Sequence, residues 1–267
     1  MLTAVIIPFR DRGTDPLRKR NLHTVLRHWQ AHETNWAAII VADDGRTGAA
    51  QFNRSAAYNR GAATMSTADV FVFAESDMLI DRHQIIQAAD LATQAAGLVV
   101  PYTEYRYLSE QDSQLVCDGA NPHAMTPESV IPDKHRFWPR TGPINVVSKQ
   151  TLNLVGGFDE HFEGNWWDDR AMLHAFEVCA GPTRFVEGPA HHLYHLPGWT
   201  GKHLTREDKA ATARNQHRYH QYLTASTPQQ IHALNSPHER LTTDGRHLQS
   251  SSAGCQRNAR SNGEGRS

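Results

Sequence analysis

Four groups of residues in this chain have types and spacings that could do chemistry. The first is the acidic triplet Glu75-Ser76-Asp77, which follows the apolar run DVFVFA at residues 69–74. A carboxylate at the carboxyl end of a buried strand can hold a divalent cation, whose charge then offsets a diphosphate. Acids that merely face water or cap the next helix would look the same. The second is His191-His192-Leu193-Tyr194-His195. On an extended strand, residues three apart point to opposite faces, so His192 and His195 meet one cation only if the chain turns between them. Pro197 and Gly198 favour such a turn, and a surface cluster in a chain with 17 histidines is the equal alternative. No H-E-x-x-H is present, which disfavours a zinc peptidase.

The third group is Asn165-Trp166-Trp167-Asp168-Asp169. Two acids there can favour a helix N-terminus through its dipole. Indole faces beside a carboxylate can equally form a sugar site, with an apolar platform for ring C–H groups and a base for a hydroxyl. The fourth is basic: Arg10 and Arg12 follow Pro8-Phe9, and Arg54 follows Phe52-Asn53. Guanidinium groups at strand ends grip phosphate oxygens bidentately. The chain has neither G-x-x-x-x-G-K-[ST] nor G-x-G-x-x-G, which removes the usual ATP-loop and dinucleotide readings.

The elements that would carry these groups are legible as hydrophobic periodicity. Residues 3–8 (TAVIIP), 37–42 (AAIIVA) and 69–74 read as buried strands, and 37–42 stops at Asp43-Asp44-Gly45. Helices are predicted from Pro16, where Leu17, Leu22, Val25, Leu26 and Trp29 recur at helical spacing, and over residues 52–63. This alternation predicts an α/β fold, a mostly parallel central sheet flanked by helices, with ligands beyond the carboxyl ends of the strands. Asp43, Asp44, Glu75 and Asp77 therefore converge on one crevice. Further along, helices are expected at 81–96, 149–155, 168–178 and 206–225, and strands at 97–102, 141–148 and 183–186. Residues 103–141 read as a long loop. Residues 1–225 form the expected domain, and the polar segment 226–267 reads as a disordered tail.

Composition excludes several classes. Against 28 acids stand 27 Lys and Arg, so the 267-residue chain has no field to hold nucleic acid non-specifically. Cys117, Cys179 and Cys255 are odd in number and lack C-x-x-C spacing, which argues against a disulfide scaffold or a cysteine zinc site. No apolar run approaches the roughly 20 residues of a membrane span. The strand-like start carries no basic region or cleavage signal, so a cytoplasmic location is expected.

Taken in order, VIIPFRDR, FNRSAAYNRGA, DVFVFAESDMLI, GPINVVSKQTLNLVGGFDEHFEGNWWDDRAML and HHLYH resemble the GT-A glycosyltransferases. The likeness is nearest to the β-galactosyltransferases and polypeptide N-acetylgalactosaminyltransferases, families seven and twenty-seven, with the wider family two behind them. It covers residues 3 to about 200. The resemblance implies that Pro8, Phe9, Arg10, Arg12, Phe52, Asn53 and Arg54 border a nucleotide, with Asp43, Asp44 and Glu75 also on the donor side. It implies that Asp77 is the metal carboxylate, that His192 and His195 take the place of a methionine–histidine metal pair, that Asp169 is the catalytic base and that Asp168 is its acceptor-binding neighbour. Two departures stand out. Glu75 replaces the first aspartate of D-x-D, and Trp166-Trp167 replace a diglycine.

The implied activity is metal-dependent, inverting transfer of a sugar from a nucleotide diphosphate to an acceptor hydroxyl. The donor would be a UDP-sugar such as UDP-Gal, UDP-GalNAc or UDP-Glc, and the acceptor a glycan, protein or other hydroxyl-bearing molecule. Mn²⁺ suits the mixed oxygen and nitrogen shell, with Mg²⁺ the alternative. The rivals are a nucleotidyltransferase on a similar sheet and a non-catalytic carbohydrate-binding module. Residues 196–205 (LPGWTGKHLT), where Gly198 and Gly201 flank Trp199, are expected to form a lid over the donor.

Overall fold

The computed structural model describes residues 1–31, 35–132, 142–198 and 200–236. The first half runs β1 (Thr3–Pro8), α1 (Pro16–Gln30), β2 (Ala38–Ala42), α2 (Arg54–Thr64), β3 (Val70–Ala74), β4 (Met78–Ile80) and α3 (Arg82–Gln94). Next come β5 (Val99–Val100), β6 (Glu104–Tyr107), α4 (Glu110–Cys117), β7 (Ser129–Pro132), β8 (Ile144–Ser148) and α5 (Lys149–Val155). The chain continues through α6 (Asp168–Ala180), β9 (Arg184–Phe185), β10 (Pro189–His192), α7 (Arg206–Thr224) and α8 (Pro228–Asn235).

The main sheet has the order β2-β1-β3-β8-β5-β9. β1 is buried along its whole length because β2 and β3 flank it in parallel, which is why it reads as one continuous apolar run. β8 enters antiparallel to both β3 and β5, and β9 returns parallel to β5. An aromatic knot of Tyr58, Phe73 and Phe158, with ring centroids 4.7 to 5.0 Å apart, joins α2 to the sheet. Gly61 permits that approach: a Cβ there would lie 2.4 Å from Ile6 Cγ2. α2 therefore sits hard against β1, and its first residue, Arg54, is carried to the carboxyl ends of the strands.

A second, smaller sheet, β4-β10-β6-β7, was not legible in the sequence. It corrects the expected loop at 103–141, whose described part holds β6, α4, a 3₁₀ turn at Pro122–Ala124 and β7. β6 is Glu-Tyr-Arg-Tyr, a polar and aromatic alternation rather than an apolar run, and Ser109 caps α4 by accepting from the Asp112 N–H. The strand expected at 97–102 shortens to Val99–Val100.

The expected tail is corrected at its start as well. Pro228 opens α8, Thr227 and Gln230 form a capping box, and Ile231 is fully buried. Residues 237–267, including Cys255, lie outside the described residues, as do 133–141 and Trp199. Among the described residues no helix is long and apolar enough to cross a membrane.

Candidate active site

Asp77 lies in the tight connection between β3 and β4. The Glu75 N–H donates to the Pro143 carbonyl at 2.8 Å, and the Met78 N–H donates back to Glu75 at 3.3 Å. β10 pairs antiparallel with β4, with His192 opposite Met78, so its last residue reaches Asp77. The chain then leaves the sheet. Leu193 N–H donates to the Asp77 carbonyl (2.8 Å), Tyr194 N–H to Ser113 Oγ (2.8 Å) and Leu196 N–H to Asp15 Oδ2 (2.8 Å). These bonds make the turn that His192 and His195 need, and it falls at 193–196, ahead of Pro197-Gly198.

The two imidazoles stand 4.9 Å apart between centroids. His195 Nε2 is 3.2 Å from Asp77 Oδ2, and His192 Nε2 is 4.0 Å from Oδ1. One donor atom from each residue lies within 4.8 Å of the others. His195 Nδ1 is 2.7 Å from the Leu196 carbonyl, which fixes the ring with Nε2 turned to Asp77, where it donates to the carboxylate when protonated and can hold a cation when not. Asp77 is 2% exposed, and its Oδ1 is buried with no hydrogen-bond partner among the described residues. Burial pushes the Asp77 carboxyl up, but the hydrogen bond from His195 and the charges of His192, His195 and Arg18 outweigh it and hold the group well below the usual range. An ionised carboxylate with an unpaired oxygen beside two imidazoles fits a divalent transition-metal ion.

The acid pair opens α6. Trp166 and Trp167 both have φ +75°, in the left-handed region that glycine favours. Contacts from α7 hold this shape. Asn215 Nδ2 donates to the carbonyls of Glu163, Asn165 and Trp166, and the Tyr219 ring stacks on Trp167 at 5.3 Å. Left-handed backbone costs roughly 1–2 kcal/mol per non-glycine residue. Trp166→Gly is therefore expected to raise the melting temperature by about 2 °C, part of the relief being lost to the flexibility of glycine in the unfolded chain. The same change should raise the acceptor KM, because the half-exposed Trp166 indole is lost; calorimetry and acceptor titration check both.

Arg54 joins the two halves of the site. Its guanidinium pairs with Glu75 on one side, and on the other donates to Asp168 Oδ2 through Nη2 at 2.6 Å and Nε at 2.9 Å. Burial opposes the charge on Arg54, but the Asp168, Tyr58 and Asp169 charges overcome it and push its pKa up. The Tyr58 hydroxyl is pushed up as well, first by burial, with the charges of Asp168 and Asp77 adding to it. Asp169 Oδ1 accepts from the Arg170 N–H at 2.8 Å. Burial and then the Asp168 charge raise its pKa above 3.8, as a proton acceptor requires.

Gly142 presses on Asp169. A Cβ at that position would lie 2.7 Å from Asp169 Cβ and 3.0 Å from Oδ2. Gly142→Ala should displace the carboxylate and cut transfer roughly 100-fold while leaving UDP binding intact. Turnover set against UDP titration checks this.

The basic group is placed differently from its sequence reading. Arg10 Nε donates to Asp44 Oδ1 at 2.7 Å, and its Nη atoms donate to the carbonyls of Gly48, Ala50 and Gln51. Arg12 donates to the Ala49 carbonyl and pairs with Asp208 at 3.5 Å. Their partners in the structure are protein groups because the buried Asp44 carboxylate needs a counter-charge and the loop at 48–51 needs donors. Asn53 caps α2 by accepting from the Ala56 N–H, and donates to the Glu160 carbonyl at 2.6 Å. Pro8 ends β1, Phe9 packs on the core, and the Phe52 ring lies 6.0 Å from the Arg10 guanidinium. Asp43 remains at the surface, 3.6 Å from Arg60.

Sequence reasoning missed Arg18, Tyr58, Gly142 and Asn215, all of which touch the site or its supports. Only Arg18 left a signal, as a basic residue in the first turn of a helix that follows a ligand-binding strand end.

No protein-family model and no curated protein matches the sequence. Solved structures do match. Glucosyl-3-phosphoglycerate synthase from Mycobacterium tuberculosis, solved with Mn²⁺, UDP-glucose and phosphoglyceric acid, aligns with a TM-score of 0.50 at 13% identity, over 82% of this chain and 78% of its own. The catalytic domain of Drosophila β1,4-galactosyltransferase 7 with xylobiose aligns at 0.44 and 17% identity, over 69% of this chain. The chain spans 63% of that domain's length. GalNAc-T7 with UDP, GalNAc and Mn²⁺ aligns at 0.46 and 12% identity, over 82% of this chain and 47% of its own. The match to the synthase carries the conclusion about architecture: this chain has the fold of the GT-A glycosyltransferases.

Proposed function

We propose that this chain is a metal-dependent glycosyltransferase that moves a sugar from a UDP-sugar to an acceptor hydroxyl with inversion at the anomeric carbon. The observation that carries this reading is the Asp77, His192 and His195 cluster at the end of β3, linked through Glu75 and Arg54 to the Asp168-Asp169 pair. The Mn²⁺ and UDP-glucose held by the structurally similar synthase support the choice of ligands. Asp77, His192 and His195 would hold Mn²⁺, which when bound offsets charge on the departing diphosphate.

The remaining work falls to side chains of this chain. Asp169 accepts the proton of the acceptor hydroxyl as that oxygen forms its bond to the anomeric carbon and the bond from that carbon to the diphosphate breaks. Arg54 holds Asp168 in place beside it through two hydrogen bonds, and the Asp168 charge in turn raises Asp169. The tryptophan pair supplies an apolar face for sugar C–H groups next to that base. A single carboxylate base is what inversion by direct displacement requires.

The test is a UDP-release screen over common UDP-sugars with Mn²⁺, with and without chelator, followed by the anomeric configuration of the product from NMR coupling constants. Sugar-dependent, chelator-sensitive UDP release with an inverted product is expected. Binding without turnover would favour the carbohydrate-binding module, and stabilisation by nucleoside triphosphates but not UDP-sugars would favour the nucleotidyltransferase.

A further inference from the structure

The first turn of α1 is stitched to the segment that presents His195. Asp15 accepts from both the Leu17 and Leu196 N–H groups, and Asn21 Nδ2 donates to the Tyr194 carbonyl at 3.0 Å. Between these anchors, Arg18 reaches into the site. Its Nη1 is 3.6 Å from Asp77 Oδ2 and its Nη2 is 3.3 Å from His195 Nδ1, while the side chain stays 37% exposed at the crevice. Among the described residues it is the only Lys or Arg paired with Asp77.

We infer that Arg18 couples the two ligands of the site, opposing a divalent cation that binds alone and favouring the cation and a nucleotide diphosphate together. The inference rests on the reading of Asp77, His192 and His195 as the cation site. Charge sets its direction. The Asp77 carboxylate and the Arg18 guanidinium cancel. A divalent cation added to them leaves two uncompensated positive charges a few ångströms apart, where repulsion is strong. The diphosphate of a sugar nucleotide brings about two negative charges and restores balance, and the guanidinium fork is suited to its oxygens. Cation and nucleotide therefore each tighten the other's binding, as linkage requires of any coupled pair. A protein with this device binds little free metal and assembles the complete site only around the donor.

Arg18→Gln removes the charge from a partly exposed helix position, so the fold should survive. Two titrations read the opposed effects on the two ligands: Mn²⁺ alone, followed by the loss of the free-ion EPR signal, and UDP at saturating Mn²⁺, followed by calorimetry. In the variant, Mn²⁺ alone should bind roughly tenfold more tightly and UDP at saturating Mn²⁺ roughly tenfold more weakly, so the ratio of the two affinities shifts about 100-fold. Arg18→Lys should keep wild-type Mn²⁺ affinity and lose only part of the UDP affinity, because the charge stays and the fork goes. Equal weakening of both ligands in Arg18→Gln would mark a merely structural residue and overturn the inference, as would an unchanged affinity for either. A wild-type protein that binds no Mn²⁺ even with UDP overturns the cation site itself, and the inference with it.

Discussion

Asp77→Asn is expected to abolish the stabilisation that UDP and Mn²⁺ together give the wild-type protein. The amide is nearly isosteric but carries no charge, and the cluster would retain only two imidazoles beside the Arg18 cation. A ligand present at 100 times its dissociation constant stabilises by about 2.7 kcal/mol. For a domain of this size that corresponds to roughly 5–10 °C in Tm, all of which the variant should lose. Chelator should remove the same shift from the wild type and change nothing in Asp77→Asn. The apo variant should remain folded, because Asp77 lies in the β3–β4 connection outside the strands and Arg18, already partly exposed, can turn to water. An undiminished shift in the variant would mean that Asp77 does not hold the cation.

Asp77 was legible because of where its strand stops. The runs at 3–8, 37–42 and 69–74 are long, β-branched and apolar, and burial on both faces demands that composition, so their carboxyl ends could be read directly. The second sheet was not legible because its strands are too short or too polar to show a period. β4 has three residues, and β10 has four, of which two are histidines. That sheet delivers His192 and holds the turn to His195, so two of the three residues of the candidate metal cluster rest on elements that periodicity cannot see. The left-handed turn at Trp166 and Trp167 was hidden for a related reason. Local rules assign glycine to φ +75°, and the chain departs from them beside its acid pair, with Asn215 and Tyr219 holding the strained turn. The arginines show a third limit. Residue type and strand end are visible in a sequence, but not that Arg10 is engaged by Asp44 and three carbonyls. What overcame these limits was the order of five individually weak motifs along one chain.

Asp169→Asn should lower kcat roughly 10²–10⁴-fold with UDP binding nearly unchanged, as removal of a general base does. Wild-type activity should fall as pH drops through the raised pKa of Asp169, and the residual activity of the variant should lack that acid limb. Stability separates this residue from its neighbour. Burial and the Asp168 charge raise the native pKa of Asp169 above its ordinary 3.8, so the native state binds this proton more tightly than the unfolded chain does. The stability that comes with the proton is fully present below the ordinary value and is lost as pH rises through the raised one. At neutral pH the ionised carboxylate therefore costs stability, and Asp169→Asn should melt at or above the wild-type temperature. Asp168→Asn should do the reverse. It removes the carboxylate that receives two hydrogen bonds from Arg54, and breaking one side of a buried ion pair is destabilising by about 3 kcal/mol or more. Its kinetic effect should fall mainly on acceptor KM. A larger kcat loss in Asp168→Asn than in Asp169→Asn, with both proteins folded, would assign the proton transfer to Asp168 and shift the proposed base by one residue.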